Sequence, residues 1–211
     1  MTSNVTTSFP AAVSPALSLV ESEARALLVR LGRVRPFALQ QTMVPAAALP
    51  PALLGAIDRY LITGRRRVHQ MVAKFIHWLR SSTGQTASPE AAQRRFSMLR
   101  MRFNVALAQL DIFAAVLTQR SEQETGIWLA GLDVVAADGL SLAGNYYSLP
   151  GMICFLDRSH GAAIRRARTR LPGGGDNPVA IIRMPRERMI GSGIASSFIH
   201  EVGHQAAALL N

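Results

Sequence analysis

The stretch FSMLRMRFNVALAQLDIFAAVL, residues 96–117, indicates the fold class most clearly. Its large apolar side chains recur every three or four residues, the period of one helix face, and they are Phe96, Leu99, Phe103, Leu107, Leu110, Phe113 and Leu117. The neighbouring arginines, Arg94, Arg95, Arg100 and Arg102, lie off this stripe. Ser88 and Pro89 favour a helix start just upstream. We therefore predict a long amphipathic helix with one buried face.

Similar patterns extend the helical prediction over most of the first half of the chain. Ser14 and Pro15 favour the start of a helix that runs to about Leu31, residues 52–81 repeat the helical period, and a further helix is predicted from about Glu122 to Asp138. Residues 1–13, rich in Ser, Thr and Ala, are expected to be a flexible tail. The predicted fold is mainly α, with a helical region over residues 14–143.

The pattern changes near Gly144, where short apolar runs replace long helical periods. Met152–Leu156 and Val179–Met184 are predicted strands, separated by a possible basic helix, His160–Leu171, and a Pro- and Gly-rich loop. A last helix is expected from about Ile194 to Leu210. Residues 144–211 are therefore predicted to form a smaller α+β part that ends in a helix.

Composition favours a folded chain with a basic surface. Of 211 residues, 49% are hydrophobic and 17% charged, and the formal net charge is +10. Lys74 is the only lysine. Arginine runs at 65–67 and 165–170 could contact phosphates, but the arginines are dispersed and no aromatic residues interleave with the runs. Solvated basic helix faces are the favoured interpretation, and nucleic-acid binding is not expected.

The sequence lacks three features of secreted or membrane proteins, and this predicts its cellular compartment. Cys154, within an apolar run, is the only cysteine, so the chain cannot form an intrachain disulfide. The N-terminus lacks the basic start of a signal peptide. No run of about 18 apolar residues predicts a membrane span. We expect a cytoplasmic protein in which Cys154 is a small buried hydrophobic residue.

The segment His200-Glu201-Val202-Gly203-His204 is where the sequence points to chemistry. On an α-helix, positions i and i+4 lie on one face, so both imidazoles can point at a common Zn²⁺. Glu201, beside the first histidine, can act as a general base towards water. Because the surrounding helix is apolar and Glu201 is its only charge near the pair, we expect it to be buried in a core.

At these residues the chain resembles the zincin metallopeptidases, and the resemblance covers about residues 179–211. It implies that His200 and His204 are zinc ligands, that Glu201 is the catalytic base and that the substrate is a peptide or protein. It also implies a strand along the substrate cleft shortly before the helix, a role that Val179–Met184 could fill.

The sequence departs from that family at the third zinc ligand. Only seven residues follow His204, and none is His, Glu, Asp or Cys. We expect the chain to end inside its catalytic domain, with a gluzincin-like completion; otherwise the third ligand would have to come from Asp157, His160, Asp176 or Glu187. The competing hypothesis is a non-enzymatic basic helical protein that binds an acidic partner or nucleic acid, with the His-Glu-x-x-His pattern accidental.

Overall fold

A computed structural model of the chain describes residues 14–33, 43–141, 146–158, 161–170, 175–185 and 192–210. It has helices α1 (Pro15–Arg33), α2 (Pro51–Arg80), α3 (Ser82–Gln85), α4 (Pro89–Gln119), α5 (Gln123–Ser141) and α6 (Ser192–Leu210), and strands β1 (Met152–Asp157), β2 (Ala163–Arg165) and β3 (Ala180–Pro185). A single 3₁₀ turn, Pro45–Ala47, precedes α2. The prediction of a mainly α fold with a helix at the C-terminal side is confirmed.

The chain forms two compact units, and unit 1 comprises Met1–Val34 and Val68–Phe103. Its described part is entirely helical. Aromatic packing joins α2 to α4 here, since the rings of Phe75 and Phe96 lie 6.0 Å apart. The Arg80 guanidinium lies 2.7 Å from Glu21 of α1, and this contact holds the pKa of the glutamate below its ordinary value. The predicted α4 stripe is confirmed in both units, because all seven of its apolar residues are buried.

Unit 2 comprises Arg35–Arg67 and Asn104–Asn211 and contains a three-stranded sheet in the order β1-β3-β2. Strand β1 pairs in parallel with the central strand β3, whereas β2 pairs with β3 antiparallel. Both predicted strands are confirmed with small changes in their ends. The predicted basic helix His160–Leu171 is wrong, because Ala163–Arg165 pairs with β3 and Arg168, at φ 62°, lies in a turn.

The sheet of unit 2 is apolar on both faces, and helices cover each face. Ile153 and Ile181 pack against residues of α2 and α4 such as Ile57 and Phe113. The alternate strand residues, including Cys154 and Ile182, pack on the other face with side chains of α5 and α6. Cys154 is fully buried, as predicted, and burial raises the pKa of its thiol. Alternation of side chains along a strand produces these two cores.

Side chains complete the hydrogen bonding along the outer edge of β1. The amide of Gln119 binds both the N–H and the carbonyl of Leu156, at 2.8 and 2.7 Å. Asp133 accepts the N–H of Cys154 at 2.7 Å, and Arg120 donates to the Cys154 carbonyl at 2.8 Å. Helix α5, assigned from sequence to the helical region, is thereby anchored to the sheet.

Among the described residues, α4 is the one helix long and apolar enough to cross a membrane. Core helices reach the same length and composition. In α4, Phe96, Phe103 and Phe113 are buried in the protein.

Candidate metal centre

Helix α6 separates a buried face from a histidine-bearing face. Phe198 and Val202 are buried in the core shared with α5 and the sheet, and Gln205 is fully buried. His200 and His204 are exposed on the opposite side. The expectation that the helix is buried around the motif is therefore wrong for the histidines. The buried residues of α6 occupy a single face, and the histidines and the apolar but exposed Ile199 lie outside it.

The structure brings the three candidate residues together. The ligand atoms of His200, Glu201 and His204 all lie within 4.8 Å of one another. The two imidazole rings have centroids 4.5 Å apart and meet edge to face, at 78°. One helical turn separates the histidines, so the backbone of α6 alone produces this proximity. Glu201 is half-buried, which places a carboxylate between the exposed imidazoles and the core.

Glu201 and Gln205 of α6 hold the segment that contains β2. The Ile164 N–H donates to Oε2 of Glu201 at 3.1 Å. One turn further along, the Ala167 N–H donates to Oε1 of Gln205 at 2.8 Å. Both acceptors lie on the same side of α6, because they are four residues apart. These two bonds fix Glu201 against the outer edge of the sheet.

The strand whose edge contacts Glu201 is β2, and the role of Val179–Met184 along a substrate cleft stays a prediction. That segment forms β3, which lies in the centre of the sheet with a strand on each side. Strand β2 is short and contains Arg165, so its sequence lacks the apolar run of a buried strand. Pairing with β3 therefore determines its extended conformation, and a strand at the edge of a sheet tolerates a charged residue such as Arg165.

The described residues add no fourth member to this group. Asp157 contacts Arg183 at 3.5 Å, and Asp176 forms a β-bridge with Arg170. Neither carboxylate belongs to the group around His200 and His204. The other two upstream candidates, His160 and Glu187, lie outside the described residues.

Sequence reasoning missed two polar groups in this unit. Gln205 is a polar residue in an otherwise apolar helix, four residues after Glu201, and this spacing could have suggested a shared role. Asp133 interrupts the apolar segment of α5 and forms an ion pair with the buried Arg120 at 2.7 Å. Two further histidines, His69 and His77, are exposed on α2.

The donor set suits a borderline metal such as zinc. Imidazole nitrogen and carboxylate oxygen are both ordinary zinc ligands, and catalytic zinc sites keep one position open to water. His200 and His204 would hold the ion, and their exposure leaves the approach from solvent open.

Comparison of the chain with family models, with curated proteins and with solved structures gives no match in any of the three.

Proposed function

We propose that the protein is a zinc-dependent metallopeptidase, with His200 and His204 as metal ligands and Glu201 as the general base. The observation that carries the proposal is the close grouping of two imidazoles and one carboxylate on α6, with all ligand atoms within 4.8 Å. Exposure of both imidazoles supports access by a large substrate.

In this proposal the two histidines hold the ion and Glu201 transfers a proton. Zinc bound by the two imidazoles would lower the pKa of a water molecule towards about 7. The carboxylate of Glu201 would accept the proton of the attacking water and later deliver it to the leaving amine. Its bond from the Ile164 N–H fixes one carboxylate oxygen, so the other can face the imidazoles.

The position of β2 favours an extended peptide as substrate. Its N–H at Ile164 points away from β3, so the outer edge of the strand faces the carboxylate of Glu201. An extended chain can add to such an edge through main-chain hydrogen bonds. A peptide bound there would lie next to the proposed base.

Metal analysis at equilibrium with excess free zinc, followed by a hydrolysis assay on an unfolded protein, tests the proposal. We expect about one zinc per chain, lost in His200→Ala and in His204→Ala and retained in His69→Ala, which removes another exposed histidine. Glu201→Gln should retain zinc and lower hydrolysis at least about a hundredfold, because the amide accepts no proton. Undiminished hydrolysis in Glu201→Gln would contradict the assigned role.

The affinity for zinc should be weak and the hydrolysis slow. Two imidazoles from one helical turn leave two positions of a tetrahedral ion, whereas catalytic sites usually have three protein ligands. A zinc content unaffected by both histidine substitutions would exclude this site. Nucleic acid retained through purification, with no metal, would instead support the basic binding protein.

A further inference from the structure

Two arginine runs that are far apart in the sequence meet in unit 2. Arg165, from the run at 165–170, donates to Gln109 of α4. The ring of Tyr60 packs on Phe113, one turn further along α4, with the centroids 5.3 Å apart. Arg67, from the run at 65–67, lies beside the same tyrosine. A Cβ added to Gly175 would lie 3.2 Å from Nη1 of Arg67 and 3.7 Å from Cε2 of Tyr60. We call Tyr60, Arg67 and Arg165 the basic cluster.

The charge of this cluster is not neutralised within the described part of the chain. All carboxylate residues except Glu187 belong to that part, and none of those described forms an ion pair with Arg67 or Arg165. The Arg165 side chain donates to the neutral amide oxygen of Gln109. Burial lowers the pKa of the Arg165 guanidinium, with Tyr60 acting in the opposite direction. A partly buried cation without a counter-charge is costly, and a bound anion would remove that cost.

Strand β2 connects the basic cluster to the candidate metal centre. Ile164 packs against the core that contains Phe198 and Val202 of α6. Successive side chains of a strand point to opposite faces, so Arg165 points towards α2 and α4, where Tyr60 and Gln109 lie. Arg165 of the basic cluster is therefore the residue directly after Ile164, whose N–H is bound to Glu201.

We propose that the basic cluster binds an acidic side chain of a peptide extended along β2, which makes the substrates acidic polypeptides. This inference rests on the proposed peptidase function. An extended peptide also alternates its side chains between two faces, so those on the α2 and α4 side lie next to Arg165. Arginine recognises carboxylates through two parallel N–H donors, and two converging arginines favour an anion over a neutral amide.

Two synthetic peptides of alternating sequence, with Glu or Gln at every second position, test the inference. Their affinities are measured by calorimetry on the full-length Glu201→Gln chain, with and without zinc, so that cleavage does not interfere. We expect the Glu peptide to bind at least about tenfold more tightly at low salt, with the preference falling as salt screens the charges.

Charge-matched variants separate the cluster from a generally basic surface. Arg67→Gln and Arg165→Gln should each abolish most of the Glu preference. Arg66→Gln and Arg166→Gln remove the same charge from exposed neighbours and should retain it. Arg165→Lys, which keeps the charge, should retain part of the preference and shows whether loss in Arg165→Gln comes from misfolding. Equal losses in all four glutamine variants, or equal binding of the two peptides, would overturn the proposal.

Inorganic phosphate distinguishes a free anion from a peptide side chain. Phosphate should compete with the Glu peptide on the parent Glu201→Gln chain and fail to compete on its Arg165→Gln derivative. Phosphate binding that needs both arginines, without any difference between the peptides, would assign the site to a free anion and overturn the peptide proposal. If the chain prefers the Glu peptide but binds no zinc, the proposal for the basic cluster stands and only the metallopeptidase proposal is contradicted.

Discussion

Replacing Arg120 by Met should destabilise unit 2 through the carboxylate left behind. Arg120 is 0% exposed, and its Nη2 donates to Asp133 at 3.1 Å and to the Cys154 carbonyl at 2.8 Å. Its Nη1 lies 2.7 Å from Oδ2 of Asp133 as an ion-pair contact without hydrogen-bond geometry. Breaking a buried pair by removing one partner costs about 3–5 kcal/mol. We expect Arg120→Met to lower the free energy of unfolding by about that amount.

The pH dependence of this loss tests its cause. Burial raises the pKa of Asp133, and the charge of Arg120 offsets part of that effect, so the pKa rises further in Arg120→Met. A carboxyl group whose folded-state pKa is raised contributes stability below its unfolded pKa, about 3.9, and loses it as pH rises through the folded value. The deficit of Arg120→Met relative to the wild type should therefore shrink between pH 7 and pH 4. Asp133→Asn leaves the Arg120 guanidinium buried without its counter-charge, and a guanidinium cannot lose its proton. The stability lost in this variant should therefore not be recovered at pH 4.

Urea unfolding monitored by the fluorescence of Trp128, which lies on α5, measures both variants in a Trp78→Phe background. The midpoint should fall at constant slope. An Arg120→Met midpoint equal to that of the wild type, or a deficit that does not change with pH, would refute the assignment of a buried charge pair.

Three further predictions concern two glycines and the net charge. Gly84→Ala should destabilise unit 1 by about 1–3 kcal/mol or more in thermal unfolding, because the new Cβ would lie 2.0 Å from the Trp78 carbonyl oxygen. Gly131→Ala, at an exposed position of α5 where nothing described lies within 4 Å of an added Cβ, should raise the free energy of unfolding by about 1 kcal/mol. A loss of stability there would contradict the observed open space. Any binding of nucleic acid should be weak, independent of sequence and lost steeply with salt; tight binding that survives a salt titration would promote the competing function.

The long helices could be predicted from the sequence because their pattern is local. The stripe from Phe96 to Leu117 repeats with the helical period, and its apolar residues are buried in the structure. The short strand β2 could not be predicted in this way. Its three residues include Arg165, and their conformation depends on β3, a partner about 17 residues downstream. Pairing between distant segments leaves little trace in local composition.

The candidate metal centre could be predicted in part for the same reason. The spacing of His200 and His204 fixes their proximity on any helix, so the sequence alone brought them together. The hydrogen-bond donor to Glu201 is the Ile164 N–H of β2. Because β2 was not predicted, this bond could not be predicted either. The basic cluster depends on the packing of α2 and α4 on the sheet, which no local sequence pattern reveals.

The two edges of the sheet differ in how they are closed, and this difference favours one of them for the proposed substrate. At the outer edge of β1, the main-chain groups of Cys154 and Leu156 are bound by Gln119, Arg120 and Asp133. Arg120 is fully buried there, so opening this edge would expose an ion pair and disrupt two cores. At β2 the N–H of Ile164 is bound by the half-buried side chain of Glu201. One side chain covers this N–H, whereas opening the β1 edge would require partial unfolding. We therefore expect the proposed peptide substrate to add at the β2 edge, beside Glu201, rather than at the β1 edge.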